Sequence, residues 1–400
     1  MKEVFIISTG AIIKGKTAGS QRIMNVAKSL AAGNVNVFLC SITQIKSDII
    51  EAVELSPGVF SLQSNEKKGK SSSNLTSFLR SVNRFIKDRN SEAVIYLYPT
   101  TIVLKDFIYL LYFKIIKRHK FYCDINELRA ANVFVSTLPT GVLRRLYFYL
   151  KSAYYFILFK ISELQVLFYD GIVVISSNLE KYFSKYTKKI IRVPILCDIT
   201  NINETRYPIM YDGTVFKICF AGYINCVKEG FDIVFEALYH VNQIKNVELY
   251  LYGTLNENDS REINHLAETF MLQEKVFYMG NIDPADLLNE FTKYHLLIIP
   301  RPLNPQTKYG FSTKLSEYLT SGVPVLVTDV SDNSVYIKDK YNGYIISPGS
   351  VKALEDKISE IIDNYNAESS VISHNAIRTA TEEFDYKLFT KMLIDLIFKG

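Results

Sequence analysis

The sequence predicts an α/β fold made of two doubly wound domains in tandem. Short β-rich runs alternate with longer helical patterns along the whole chain, and this alternation breaks once near the middle before it starts again. Such alternation is typical of parallel sheets built from βαβ units. A chain of 400 residues has room for two domains of this kind.

The first domain is predicted to span residues 1–195. Helical patterns such as those at 20–32 and 74–88 separate its strand candidates. These candidates are VFIIS at 4–8, VNVFLCS at 35–41, AVIYLY at 93–98, KFYCD at 120–124 and GIVVIS at 171–176.

A polar, turn-rich stretch at 196–214 has no clear period and is predicted to be a linker. The second domain follows at 215–385. Its strand candidates are FKICFAG at 216–222, VELYLYG at 247–253, KVFYMG at 275–280, HLLIIP at 295–300 and VPVLVTD at 323–329. Since ligands bind at the carboxyl ends of strands in doubly wound sheets, we expect a site at that edge, in a cleft between the two domains.

Composition narrows the class of protein. Apolar residues make up 48% and charged residues 22%, which is ordinary for a globular protein, and a net charge of +5 is too weak to indicate nucleic-acid binding. The five cysteines form no CxxC pair, so neither a zinc site nor a disulfide framework is predicted, and a reducing cytoplasm is expected. The first ten residues, MKEVFIISTG, are interpreted as a strand rather than a signal peptide.

Two stretches, 102–122 and 142–168, are rich in apolar and aromatic residues. Neither stretch reaches the roughly 18 uninterrupted apolar residues of a membrane span. In the longer stretch, 142–168, the interrupting residues are Lys151, Lys160 and Glu163. A core helix is the favoured interpretation. The alternative is a peripheral contact with an anionic membrane, since basic residues stand among Tyr and Phe.

The strongest local pattern is KYGFSTKLSEYLTSGVPVLVTDV at 308–330. A glycine-containing loop leads into a helix there, so backbone N–H groups and the positive helix end converge on one point, which suits a diphosphate. Ser312 or Thr313 is the expected helix cap. Glu317 follows about one turn on, where its carboxylate can accept hydrogen bonds from ribose hydroxyls. The alternative is a plain strand–loop–helix unit with a solvated Glu.

A second segment, FAGYINCVKEGFDIVFEAL at 220–238, has Gly222 after a strand and Lys228 before a helix. Alone this string is weak, and an exposed lysine at a helix start is the alternative interpretation.

Together the two segments resemble the donor-binding signature of GT-B glycosyltransferases that retain anomeric configuration. This large bacterial group (glycosyltransferase group 1, family 4 type) makes surface polysaccharides and lipid-linked sugars. The resemblance is good over 215–365 and looser over 1–200. It implies two doubly wound Rossmann-like domains that face each other across a cleft, with the C-terminal segment 386–400 crossing back to the first domain.

The resemblance also implies roles for individual residues. Glu317 would hold the ribose of a nucleotide-sugar. Lys228, with help from Lys314, would neutralise the diphosphate, next to Gly222. The loop residues Gly310, Phe311, Ser312 and Thr313 would bind the donor, with the amides of the first three facing its sugar and phosphates.

Two positions depart from the family pattern. Tyr309 stands where the family has the first Glu of a Glu-x7-Glu pair, and Tyr223 stands where it has an Arg. These departures leave the sugar open. They also admit a non-catalytic sugar-nucleotide binder as an alternative function.

In the first half, Gly19 matches the family's loop at the start of the first helix. Asp124 and Glu127, in YCDINEL at 122–128, match a region that the family sets along the cleft, and they are expected to contact acceptor hydroxyls. A charge pair at a helix N-terminus is the alternative interpretation.

The resemblance therefore implies a hexosyltransferase-like enzyme whose acceptor is a glycan or a polyprenyl-linked glycan. No cofactor and no metal are expected, since the chain has no Asp-x-Asp pair. The expected location is the cytoplasm or, peripherally, the inner face of the cytoplasmic membrane. A nucleotide-sugar epimerase of the same fold is the nearest alternative.

One motif argues for a different class. GAIIKGKT at 10–17 fits the phosphate-binding P-loop pattern G-x-x-x-x-G-K-[ST]. We interpret the fit as chance similarity, because AIIK is bulky for a tight phosphate loop and the helical pattern begins near Gly19, after the GKT. A P-loop NTPase stays open as an alternative.

Overall fold

A computed structural model of the chain describes residues 2–8, 17–46, 50–64, 74–89, 92–99, 102–133, 141–200 and 208–399. The chain divides into two compact units. Unit 1 comprises Met1–Leu196 with Tyr386–Gly400, and unit 2 comprises Cys197–Asp385. Most of the GAIIKGKT motif (10–16) and part of the linker prediction (201–207) lie outside the described residues.

The described part of unit 1 contains a sheet of eight strands in the order β3-β4-β2-β1-β5-β6-β7-β8. All neighbouring strands are parallel except the antiparallel pair β3 and β4. The strands are β1 (Lys2–Ser8), β2 (Val35–Ser41), β3 (Ile50–Ser56), β4 (Val59–Ser64), β5 (Ala93–Leu97), β6 (Lys120–Ile125), β7 (Gly171–Val174) and β8 (Ile190–Arg192).

Helices connect these strands and cover the sheet of unit 1. They are α1 (Ala18–Ala31), α2 (Leu75–Asp88), α3 (Val103–Tyr109), α4 (Arg129–Asn132), α5 (Val142–Leu164) and α6 (Ser177–Phe183). Helix α3 continues as a π-helix at Leu110–Ile116, and α5 continues as a 3₁₀ turn at Gln165–Phe168.

Unit 2 contains a fully parallel sheet of six strands in its described part, in the order β11-β10-β9-β12-β13-β14. Counted within the unit, this is the 3-2-1-4-5-6 order of dinucleotide-binding sheets, with the switch point between β9 and β12. The strands are β9 (Phe216–Ala221), β10 (Val247–Tyr252), β11 (Val276–Gly280), β12 (Leu296–Ile299), β13 (Val325–Thr328) and β14 (Tyr344–Ile346).

The helices of unit 2 lie on both faces of that sheet, and α8 packs against the long helix α14. They are α7 (Cys226–Glu229), α8 (Phe231–Asn242), α9 (Glu257–Thr269), α10 (Pro284–Phe291), α11 (Pro305–Tyr309), α12 (Lys314–Ser321), α13 (Asn333–Tyr336) and α14 (Val351–Phe384).

The C-terminal segment packs into unit 1. It forms a 3₁₀ turn (Tyr386–Phe389), α15 (Thr390–Ile394) and a π-helix (Asp395–Lys399). Leu393 and Ile397 are fully buried in the core of unit 1, and the Tyr122 hydroxyl donates to the Ile397 carbonyl at 3.0 Å. This apolar contact fixes the chain end on the first sheet.

The predicted α/β fold class is confirmed, and each of the ten strand candidates overlaps an observed strand. The sequence patterns missed β3, β4, β8 and β14. Strand β3 is an edge strand with mostly exposed residues, and its apolar residues do not follow a strict alternation. Strands β8 and β14 have only three residues each, too few to show a period.

The core-helix interpretation of 142–168 is wrong. Within α5 the buried side chains are Ser152 and Glu163, whereas apolar residues such as Leu143 are exposed. No helix in the described part of the chain is long and apolar enough to cross a membrane.

Candidate nucleotide-binding site

The candidate site lies at the carboxyl edge of the unit 2 sheet, beside the switch point between β9 and β12. Gly222 follows β9 with φ +149°, and a Cβ atom there would stand 2.4 Å from Cε of Lys314. Only glycine leaves room for the lysine stem to pass this close to the backbone. The sequence-predicted residues Gly222 and Lys314 are therefore brought into contact.

Tyr318 holds α12 against the end of β9. Its buried hydroxyl accepts from the Ala221 N–H at 2.8 Å and lies 3.2 Å from the Ala221 carbonyl oxygen, to which it donates. Because Lys314 stands one turn before Tyr318 on the same helix face, this bridge holds Lys314 at the carboxyl edge.

A buried ionic cluster occupies this edge. The Lys314 ammonium donates to Oε1 of Glu229 at 2.8 Å, and the Arg301 guanidinium reaches both carboxylate oxygens of Glu229, with its Nη2 at 3.1 Å from Oε1 and its Nε at 3.2 Å from Oε2. All three side chains are at least nine-tenths buried. The Lys314 ammonium also lies 4.6 Å from the centroid of the Phe220 ring.

The pKa values in the cluster reflect burial and mutual charge. Burial alone would raise the pKa of Glu229, but Arg301 and Lys314 outweigh it and bring that pKa to about 2. Burial lowers the pKa of Lys314, Glu229 opposes this effect, and Arg301 and Lys228 add to it, so that the resulting pKa is about 8. Two cations therefore meet one carboxylate, which leaves the cluster with an excess of one positive charge, and the charge of Lys228 acts on Lys314 from outside it.

A glycine and a hydrogen bond to the backbone hold the segments that carry the ionic cluster. Gly230 has φ +70°, and a Cβ there would stand 2.9 Å from the Pro300 carbonyl oxygen, so this glycine lets the end of α7 approach the loop that carries Arg301. The Thr328 hydroxyl donates to the Arg301 carbonyl at 2.6 Å. The charged groups therefore come from three parts of unit 2, which are helix α7, the loop after β12 and helix α12.

The loop before α12 offers unpaired donors. Ser312 is buried, and its hydroxyl has no hydrogen-bond partner among the described residues. Across the same residues, the amides of Phe311, Ser312 and Thr313 make no bond to a backbone carbonyl. Such unpaired donors at a helix start suit an anion.

Two expectations for this loop are corrected. The Gly310 amide donates to the Gln306 carbonyl at 3.0 Å and ends α11, so it is not available to a ligand. Thr313 occupies the cap position in a helical conformation without a side-chain cap bond, so it does not cap α12. The buried Ser312 hydroxyl does not cap it either.

The Phe311 side chain packs inside unit 2. Its ring is buried, and its centroid lies 5.4 Å from the centroid of the Tyr336 ring.

The roles of Lys228 and Glu317 stay predictions. Glu317 is half-buried in the first turn of α12. Lys228 is half-buried in α7, and its charge reaches Lys314. Tyr223 is exposed, and its hydroxyl accepts from the Asn256 amide at 3.1 Å. Tyr309 is half-buried at the end of α11.

Sequence reasoning missed Arg301 and Glu229. Arg301 supplies a cation from the end of β12, whereas the family pattern places one at the position of Tyr223. The signal for Arg301 was its place directly after the strand HLLIIP, where ligand-binding residues are expected. Glu229 stands between Lys228 and Gly230 and gave no signal of its own, because its partners are 72 and 85 residues away in sequence.

In unit 1, the expectation that Asp124 contacts acceptor hydroxyls is corrected. Asp124 lies inside β6 and is fully buried. It pairs with Arg22, whose Nε is 3.0 Å from Oδ1, and accepts from the Tyr96 hydroxyl at 2.8 Å. Arg22 also donates to the carbonyls of Val193 and Pro194. The carboxylate therefore joins α1 to the sheet.

We expect Asp124→Asn to lower the free energy of unfolding by about 3–5 kcal/mol, because it leaves Arg22 buried without a counter-charge. Glu127→Gln is the matched control, since Glu127 is exposed and meets Asn132 and Arg129 at the surface. It should cost less than about 1 kcal/mol. Urea unfolding followed by circular dichroism measures both. Equal stability of Asp124→Asn and wild type would contradict a structural role for this pair.

Gly19 lies in the first turn of α1, and a Cβ there would stand 3.0 Å from the Tyr98 hydroxyl. Thr17 is the N-cap of α1, and its hydroxyl accepts from the Ser20 amide. In a P-loop this position would bind Mg²⁺ instead. Helix α1 begins at Ala18, directly after Thr17. A helix that begins after the GKT segment is what we expect if the match to the P-loop pattern is due to chance.

A surface cavity of about 850 Å³ in unit 2 lies away from the candidate site, at the amino ends of β9 and β10. Its polar groups satisfy one another, since Asn366 bonds both backbone groups of Tyr211 and Lys245 pairs with Asp363. Among the described residues, no group of three or more His, Cys, Asp or Glu side chains is placed to hold a metal ion.

The sheet order, the glycine at the switch point and the anion-suited cluster define a doubly wound unit with a candidate anion site at the carboxyl edge of its sheet. The model of the family described as Glycosyl transferases group 1 matches residues 209–379, which include every residue of the cluster. Over this region the chain matches the group 1 glycosyltransferases, and its fold is the GT-B fold of the solved structures that it resembles.

Individual relatives agree with this assignment. Sucrose synthase of Melioribacter roseus is 28% identical over 141 residues, which cover 34% of this chain and only 18% of that relative. Sucrose-phosphate synthase from Thermosynechococcus elongatus has a TM-score of 0.71 at 15% identity and covers 99% of this chain and 98% of its own. HepE of Anabaena, in complex with UDP-glucose, has a TM-score of 0.65 at 13% identity, with 100% of both chains covered. Likeness at such low identity shows the fold.

Proposed function

We propose that this protein transfers a sugar from a nucleotide-diphosphate-sugar to a hydroxyl acceptor, with retention of anomeric configuration. The proposed setting is the synthesis of a bacterial surface polysaccharide or lipid-linked glycan. The observation that carries the proposal is the buried cluster of Lys314, Arg301 and Glu229 beside Gly222. The cluster has an excess of one positive charge, and Lys228 adds a second, which together match the roughly two negative charges of a nucleotide-sugar diphosphate.

Each group has a defined part in the proposed reaction. Lys314, Arg301 and Lys228 stabilise the charge that develops on the departing diphosphate, and the amides of Phe311 and Ser312 bind its oxygens. Glu317 accepts hydrogen bonds from the ribose. Glu229 holds Lys314 and Arg301 in place before the donor arrives.

The bond between the anomeric carbon and the phosphate oxygen breaks, and a bond from the same carbon to the acceptor oxygen forms. The acceptor proton passes to the departing phosphate oxygen on the same face of the sugar. No separate general base is then required. The described residues around the cluster offer cations and amides for this step, in agreement with that route.

A screen of nucleoside diphosphates and nucleotide-sugars by thermal shift identifies the donor, since a ligand of the native state raises the melting temperature. UDP-glucose is a rational first probe, because the structurally similar HepE was solved with it. Chromatography of reactions with glycan acceptors then measures transfer. Free sugar epimers without acceptor would indicate an epimerase, and binding without turnover on any acceptor would indicate a non-catalytic binder. ATP hydrolysis without sugar transfer would indicate a P-loop enzyme.

We expect sugar transfer to be independent of divalent metal ions, because protein cations supply the charge that a metal would otherwise supply. Protein treated with excess EDTA should keep nearly all of its activity in a chromatographic transfer assay. Loss of activity that magnesium or manganese restores would contradict this prediction.

We expect donor affinity to fall as the pH rises through about 8, where Lys314 loses its proton. A group whose pKa is depressed in the folded protein carries its charge only below that value, so affinity for UDP should drop by about tenfold between pH 7 and pH 9. The diphosphate group of UDP keeps a constant charge there, since the second pKa of a phosphate is roughly 6. Lys314→Arg, which stays cationic, should show a flat profile by calorimetric titration. The same slope in both proteins would assign the titration to another group.

A further inference from the structure

Helix α5 exposes residues that a helix of a folded unit normally buries. Of its 23 residues, the buried side chains are Ser152 and Glu163, one polar and one charged. Apolar and aromatic residues occupy the exposed positions, including Leu143, Leu146, Tyr147, Leu150, Tyr154 and Ile157. They are distributed around the helix rather than along one stripe. Apolar surface of this extent marks an interaction site.

The neighbouring element extends this surface. Helix α3 packs against α5, and α3 with its π-helical continuation exposes Leu104, Phe107, Leu111 and Ile115. Their spacing of three and four residues places them on one side of the helix. We call the exposed apolar residues of α3, its continuation and α5 the apolar face.

The charge of the apolar face is positive. Helix α5 has four basic residues and one acidic residue. The acidic residue, Glu163, is buried and accepts from Lys160 at 2.8 Å and from the Tyr182 hydroxyl at 2.6 Å. Asp106 of α3 is likewise buried and paired with Arg129 at 3.2 Å. The acidic groups of both helices therefore point inward.

The position of two arginines suits an external anion. Arg144 and Arg145 stand in the first turn of α5, where the helix dipole disfavours cations, and that turn contains no acidic residue. Its N-cap, Gly141, provides no side-chain cap bond. Neither cation gains stability from the helix dipole, and the positive charge at this end of α5 suits an anionic surface.

We propose that the apolar face docks on an anionic phospholipid bilayer. Helix α5 lies in the plane of the interface, with its arginines and lysines at the headgroup phosphates and its Leu, Ile and Phe side chains at the acyl boundary. The tyrosines suit this depth, because their rings are apolar and their hydroxyls reach water. Lys151 in the middle of the helix fits a helix that lies in the interface and not one that spans the membrane. Apolar residues around most of the helix also suit a fluid medium better than a single protein groove.

Vesicle flotation of the full chain, without any sugar substrate, tests this proposal independently of sugar transfer. The protein should float with vesicles of phosphatidylglycerol and phosphatidylcholine, and stay unbound with phosphatidylcholine alone. Leu146→Glu with Ile157→Glu should reduce the bound fraction at least tenfold. Ile244→Glu is the matched control, since Ile244 is an 85% exposed aliphatic residue of unit 2. It should bind as wild type does.

A second pair of variants tests the charges. Arg144→Glu with Arg145→Glu should lower binding to the anionic vesicles at least tenfold. The control with the same change in net charge is Arg261→Glu with Lys293→Glu, two exposed cations of unit 2. It should retain most of the binding.

Three results would overturn the proposal. The first is wild-type protein that floats with neither vesicle type. The second is normal flotation of folded variants of the apolar face. The third is a dimer, seen by light scattering, that Leu146→Glu with Ile157→Glu dissociates while no vesicle binding occurs. In that case the face joins two copies of the chain.

Discussion

Lys314→Ala is expected to slow sugar transfer by about 10²–10³-fold, the magnitude seen when one preorganised donor to a developing anion is removed. The substitution removes a buried cation that lies against Gly222 and bonds Glu229 at 2.8 Å. It also leaves Glu229 with Arg301 alone, so the positive excess at the diphosphate falls by one charge. The transfer rate at saturating donor measures the effect.

Lys275→Ala is the matched control, because this half-buried lysine of unit 2 bonds the Asn246 side chain at the amino edge of the sheet. It should transfer sugar at the wild-type rate. Circular dichroism must show that both variants are folded. A folded Lys314→Ala with an unchanged transfer rate would remove the cluster from the proposed reaction.

Glu317→Ala is expected to weaken donor binding by about tenfold to a hundredfold or more. Charge-assisted hydrogen bonds to the ribose contribute roughly 1.5–3 kcal/mol each, and about 1.4 kcal/mol is a factor of ten. The α12 segment should remain in place, because the Tyr318 hydroxyl anchors it to Ala221. Calorimetric titration with the nucleoside diphosphate found in the screen measures the affinity.

Glu257→Ala controls for the loss of a carboxylate from the first turn of a helix. Glu257 stands in the first turn of α9 in the same unit and is 90% exposed. Both substitutions remove a favourable interaction with a helix dipole, but only Glu317 is proposed to meet the ribose. Donor affinity should be unchanged in Glu257→Ala, and an equal loss in both variants would assign the effect to the helix.

The fold was predictable because its signals are local. Strand–helix alternation, the glycine after β9 and the loop before α12 all lie within short windows of sequence. The amino-acid sequence alone therefore places Gly222, Lys314 and Glu317 at one edge of the second sheet. Of the missed strands, β8 and β14 have only three residues each, and β3 is an exposed edge strand.

Long-range partners were not predictable. Glu229 gains its function from Arg301 and Lys314, and only the folded sheet brings these groups together. Asp124 was placed at a strand end, but it lies within β6, where Arg22 from 102 residues earlier pairs with it. Local sequence does not reveal such a partner.

The hydrophobicity of α5 also led to a wrong prediction from the sequence, that of a core helix. An apolar helix at 142–164 is compatible with a protein core and with a lipid surface, because both exclude water. Only the exposed fraction of its side chains separates the two interpretations. The structure leaves Leu143 82% exposed while it buries Glu163, which rules out the core.

A nucleotide donor is proposed to bind unit 2 at the carboxyl edge of its sheet, and not at the GKT segment of unit 1. Calorimetric titration of wild type, Glu317→Ala and Lys16→Ala with UDP, or with the diphosphate that the screen selects, tests this central claim most directly. We predict that Glu317→Ala weakens binding at least tenfold and that Lys16→Ala binds nearly as wild type does. A folded Glu317→Ala with wild-type affinity, together with loss of nucleotide binding in Lys16→Ala, would contradict the claim.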